Sequence, residues 1–87
     1  MTPARRPRRA DPLEVSEVAD GLVVYQPDPD RVHYLNNTAA VVFELCTGEN
    51  TEAEIVDLLG RAFALDAPPQ REVEACLAHL QHEGIVE

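Results

Sequence analysis

An α+β domain, in which a three-stranded antiparallel sheet is followed by three helices, is the fold class the sequence predicts, and three observations carry it. Short β-rich runs separated by turn residues fill the stretch from Leu13 to Leu35. Beyond Asn37 the apolar residues recur at the three- and four-residue spacing of helical faces. The chain has 87 residues, enough for one hydrophobic core and too few for two.

Leu13, Val15 and Val18 precede Asp20-Gly21, and Leu22, Val23, Val24 and Tyr25 follow it. Asp-Gly between β-rich runs signals a hairpin. Gln26 to Asp30 then holds two prolines and two aspartates, which fix φ, remove amide donors and offer side-chain acceptors, so the chain is expected to turn again. A third strand follows from Arg31 to Leu35. Sequential strands with tight connections pair as a meander, which leaves the third strand one free edge.

Asn36 or Asn37 can cap a helix beginning at Thr38, with Ala39, Val42, Phe43 and Cys46 on one face and Gly48 as its stop. Thr51 and Glu54 fit a capping box for the second helix, expected to run to about Leu65 with Ile55, Leu58, Leu59, Ala62 and Phe63 inward. Asp66 and Pro68-Pro69 open the third helix, where proline is tolerated in the first turn because those amides lack helical partners. Its buried stripe is Val73, Cys76, Leu77 and Leu80; Gly84 ends it, and Ile85 and Val86 are expected to return to the core.

Charge separates the two parts of the chain. Arg5, Arg6, Arg8 and Arg9 lie among prolines without hydrophobic periodicity, so residues 1–11 read as a disordered arm and 12–87 as the folded domain. No apolar run follows these arginines as in a signal peptide, and the longest apolar stretch, Thr38 to Leu45, is far below the ~20 residues of a membrane span. A cytoplasmic protein is expected. Residues 11–87 carry three arginines against 16 acids, a net charge of −13, which repels phosphate and favours neutral or basic partners.

Chemical motifs are sparse. The sequence holds no phosphate loop, dinucleotide fingerprint, nucleophile elbow, H-E-x-x-H or C-x-x-C, so no cofactor is expected. His33, His79 and His82 with Cys46 and Cys76 lack metal-ligand spacing, which points to no metal and to two reduced thiols. Cys76 with His79 one turn on has the order of a nucleophile and base, but a cysteine bordering an apolar stripe is ordinarily a packing residue. A winged helix–turn–helix DNA-binding regulator is the competing reading; Glu52, Glu54, Asp57, Glu72, Glu74 and Glu83 on its two candidate helices oppose it, and only the arginine arm supports it.

One ordered set of residues goes further: Leu35-Asn36 with Thr38-Ala39, Leu45-Cys46-x-Gly48, Thr51-x-x-Glu54-Ile55, Glu72-Val73, Leu77, Leu80 and Gly84-Ile85. Over about residues 33–86 the chain resembles the PqqD-like family, whose members serve as recognition elements for ribosomally made, post-translationally modified peptides. The resemblance implies a winged-helix-like fold and no catalysis. It also implies that the leader segment of a precursor peptide adds as a strand beside the third strand, in a groove against the third helix. The peptide would pass to a separate modifying enzyme, such as a radical-SAM maturase or the leader peptidase and cyclase pair of lasso-peptide synthesis.

On that basis Arg31, Val32, His33, Tyr34 and Leu35 form the pairing strand and Glu72, Cys76, His79 and Leu80 the facing helix. Main-chain bonds would give sequence-tolerant affinity, while Val32 or Tyr34 with Cys76 or Leu80 would shape a pocket. Glu72 would hold a leader Lys or Arg by a charge-assisted hydrogen bond. Alternation sets Val32 and Tyr34 on the face opposite His33 and Leu35, and either pair is a candidate for the leader. A third reading uses the open edge for oligomerisation, as an adaptor or homodimer.

Overall fold

The computed structural model describes residues 5–27 and 30–87. Three strands, β1 (Glu14–Val18), β2 (Gly21–Pro27) and β3 (Asp30–Asn36), form an antiparallel sheet in the order β1-β2-β3. Three helices follow, α1 (Asn37–Leu45), α2 (Glu52–Ala62) and α3 (Gln70–His82). This is the expected α+β order. Ala19 and Asp20 form the loop of the first hairpin, and Gly21 begins β2 because any Cβ there would run into the Leu35 carbonyl oxygen. Of the second expected turn, Asp28 and Pro29 lie outside the described residues.

One face of the sheet meets the helices. Leu22, Val24 and Leu35 point inward against Val42, Phe43, Ile55, Leu59, Val73, Leu77 and Leu80, all nearly inaccessible to water. Among the described residues nothing covers the opposite face of β2 and β3. Ile85 and Val86 complete the core from the C-terminal side, as their apolar character requires.

The helix boundaries follow from their caps. Asn36 accepts from the Ala39 amide, so α1 starts one residue earlier than expected. Thr51 and Glu54 exchange side-chain bonds with each other's amides at 3.2 and 2.9 Å, the predicted capping box. These bonds hold the Glu54 carboxyl below its ordinary pKa. The second helix stops at Ala62 rather than Leu65, because Ala64 takes a left-handed φ of 51°. The Ala64 and Leu65 amides then bond back to Arg61 and Gly60, closing the last turn as a Schellman motif. The early stop leaves Phe63 exposed, and α2 turns Ile55, Val56 and Leu59 inward, so Leu58 and Ala62, expected on the buried stripe, face outward. Pro68 and Pro69 both precede α3 rather than entering its first turn.

The N-terminal arm also differs from expectation. Within residues 1–11, read as disordered, the stretch from Pro7 to Ala10 is tied down on both sides. Arg8 exchanges backbone bonds with Glu87, the Arg9 and Ala10 amides donate to the Cys46 and Ile85 carbonyls, and Gly48 donates to Pro7. The Arg9 guanidinium donates to the Glu44 carbonyl at 2.8 Å and lies over the Phe43 ring, covering carbonyls that the end of α1 leaves unpaired. A composition of arginine and proline gave no sign of this, since the bonds are almost all main-chain. Met1 to Ala4 lie outside the described residues.

Candidate functional site

The two sheet edges are unlike each other. β1 is five residues long and carries Glu14 and Glu17. β3 is seven residues long, holds no proline or bulge, and carries Val32 and Tyr34, exposed by 68% and 56%. Charge and shortness are the usual protections of an edge. The third strand is longer, and its charges, Asp30 and Arg31, sit at its start and leave Val32 to Leu35 uncharged apart from His33, which singles it out as the edge open to pairing.

Register fixes which backbone groups that edge offers. Val18 and Gly21 close a two-residue loop, so they form a hydrogen-bonded pair, and hydrogen-bonded pairs alternate along an antiparallel ladder. Gly21, Val23 and Tyr25 therefore turn their amides and carbonyls to β1, and Leu22, Val24 and Gln26 turn theirs to β3. Their register partners Leu35, His33 and Arg31 are used within the sheet. The N–H and C=O groups of Val32 and Tyr34 are left facing the open edge.

Side chains alternate with the same period. His33 and Leu35 lie on the helix side and Val32 and Tyr34 on the outer side, an orientation the sequence had left open. Leu35 and Leu80 are 4% and 1% exposed, so they are the floor of the site rather than its walls. No Cα of β3 comes within 8 Å of α3. Between them is a cleft of about 240 Å³ lined by Val32, His33, Tyr34, Leu35, His79, Leu80, Glu83 and Ile85.

Six of the nine sequence-selected residues thus line one cleft, and Arg31 joins its rim through Glu83. Glu83 lies 3.8 Å from both the Arg31 guanidinium and His33 Nδ1, while His33 Nε2 pairs with Gln26 at 3.2 Å. Glu83 was missed as a site residue. Its signal was present, since Glu72, Cys76, His79 and Glu83 recur at four- and three-residue spacing along one face of α3.

Glu72 lies apart from the cleft, seven residues or about 10 Å before His79 along the helix axis. It borders a second, mainly apolar recess of about 620 Å³ with Thr38, Leu59, Phe63, Leu65, Asp66, Ala67, Pro68 and Pro69. Phe63 and Leu65 had been expected on the buried helix, so this recess was not legible. Cys76, half-buried on the same face of α3, stands between the two hollows in sequence. Burial raises the thiol pKa of Cys76, and pushes that of Cys46, fully enclosed, up to about 12. Both stay protonated near neutral pH, which fits packing rather than nucleophilic chemistry.

Among the described residues no group of three or more His, Cys, Asp or Glu side chains is placed to hold a metal ion, and no helix is long and apolar enough to cross a membrane.

Comparison with known proteins gives three results. No curated protein matches the sequence. In fold, the chain is similar to a solved structure described as TbiB1 in complex with the TbiA(beta) leader peptide, with a TM-score of 0.78, 18% identity, and coverage of 92% of this chain and 94% of that one. The family model for coenzyme PQQ synthesis protein D (PqqD) matches residues 21–86, from the start of β2 through the C-terminal tail. The chain belongs to the PqqD family.

Proposed function

We propose that this protein binds the leader segment of a ribosomally made precursor peptide as a strand on the β3 edge and presents it to a separate modifying enzyme. The observation that carries the proposal is the open edge at Val32 and Tyr34 beside the cleft against α3. Strand addition gives affinity through main-chain bonds whatever the leader sequence, and side chains entering the two hollows give selection. Membership of the PqqD family and the leader peptide in the TbiB1 structure support the same reading.

Electrostatics narrow the peptide. Glu83 borders the cleft, and Glu72 and Asp66 border the recess, on a body whose residues 11–87 carry −13. A leader with Lys or Arg flanking an apolar segment suits that field. The partner enzyme is a radical-SAM maturase or a leader peptidase, and the chemistry belongs to it; the carrier works where the precursor is made, in the cytoplasm.

Fluorescence anisotropy tests this with labelled leaders encoded beside the gene and an unrelated DNA duplex in parallel, at moderate salt. Saturable leader binding in the micromolar range or tighter, without duplex binding, is expected. Duplex binding alone would replace the carrier with a DNA-binding regulator.

A further inference from the structure

Among the described residues no element covers the outer face of the sheet, yet its β2 and β3 part is not polar. Val23, Tyr25, Val32 and Tyr34 share it, by register and alternation. Val32 and Tyr34 are the two most exposed large apolar residues of the described chain. Tyr34 is held in place, its hydroxyl donating to the Asp20 carbonyl across the sheet at 3.3 Å. Both residues lie on the strand whose edge is open, so this face continues directly into whatever pairs there.

We infer that Val32 and Tyr34 read the outward side chains of the bound leader, so that the peptide is recognised on both faces of its strand. The inference rests on the strand-addition reading. The backbone groups offered by the edge are those of Val32 and Tyr34 themselves, so a pairing strand sets two of its residues directly opposite them. Side chains opposite one another share a face with their Cβ atoms about 5 Å apart, the distance at which aromatic and β-branched pairs attract. The inward leader residues meanwhile meet the cleft floor of Leu35 and Leu80. A strand engaged on both faces is a nearly continuous apolar run rather than an alternating one. The ligand class is therefore a leader holding about five consecutive apolar, aromatic or β-branched residues, matching Arg31 to Leu35.

Selection of a randomised ten-residue peptide library on immobilised protein tests this, run with the wild type and with a V32T/Y34T variant. Threonine keeps strand propensity, and the positions are exposed, so circular dichroism should show the variant folded, with its melt lowered by no more than loss of the Tyr34–Asp20 bond accounts for. The wild type should enrich consecutive apolar runs, and the variant should keep the inward preference while losing the outward one. Each outward contact should change the affinity of individual selected peptides up to about fivefold. Enrichment at alternate positions only, or runs unchanged by V32T/Y34T, overturns the two-faced reading and leaves strand addition standing. A library that yields no binder overturns both. Self-association of the wild type that V32T/Y34T abolishes, with peptide preference unchanged, assigns the face to a second copy and also overturns it.

Discussion

Proline along β3 separates the open edge from the paired one residue by residue. At Val32 the backbone N–H points away from β2, so Val32→Pro removes no bond of the sheet and the fold should survive. Leader binding should not. One edge hydrogen bond contributes about 0.5–1.5 kcal/mol, and the proline ring also leaves the partner carbonyl unsatisfied, at about 1–3 kcal/mol. Together these give about 1.5–4.5 kcal/mol, or a tenfold to thousandfold loss of affinity. His33→Pro is the matched control: its N–H faces β2, so it should lower the melting temperature instead. Anisotropy titration and thermal melting of both variants read the two quantities. A Val32→Pro protein that melts normally and binds within twofold of wild type would refute pairing on this edge. One that unfolds would refute the alternation derived from the hairpin.

Other substitutions address charge, thiol burial and backbone strain. Glu72→Lys should weaken a basic leader several-fold, with the loss shrinking as salt rises; an unchanged titration removes Glu72 from the site. Burial raises the Cys46 pKa to about 12, above the ordinary thiol value near 8.5, so its contribution is complete below that value and is lost as pH climbs toward 12. Chemical denaturation should accordingly show wild-type stability falling relative to Cys46→Ala by up to about 1.4 kcal/mol per pH unit in that interval. Ala64→Gly should stabilise the protein by about 0.5–1 kcal/mol in the same assay, because glycine adopts the positive φ at that helix end without strain.

What could be read from the sequence was what depends on neighbours along the chain. The Thr51–Glu54 capping box, the helix cap and the hairpin are local patterns: the box lies where its spacing set it, Asn36 is one of the two candidate caps, and the hairpin turns at Ala19-Asp20, one residue before the Asp-Gly pair that marked it. Val42, Phe43, Ile55, Leu59, Val73, Leu77 and Leu80 entered the core as their helical periodicity required. The misses depended on contacts far apart in sequence or on a main-chain twist with no side-chain marker. Alanine is a poor signal for a left-handed residue, so the early end of α2 at Ala64 went unseen, and with it the exposure of Phe63 and the recess beside Glu72. The direction of Val32 and Tyr34 needed the register with β2. Glu83 needed only the helical repeat carried one turn further, and was legible.

The pairing of Arg8 with Glu87 has a practical side. The backbone near both ends of the folded body leaves from one spot, beside Leu77 and Gln81 and so on the flank of α3 turned away from Glu72, His79 and Glu83. Anything attached after residue 87 still starts two residues from Ile85, which lines the cleft between β3 and α3, and Ala10 bonds to that same Ile85. A flexible tether spans roughly 5–6 Å times the square root of its length, so a linker of about ten residues already keeps a fused enzyme within reach of a peptide on β3. A bulky reporter joined directly to Glu87 would crowd that cleft, so a labelled protein needs a spacer there.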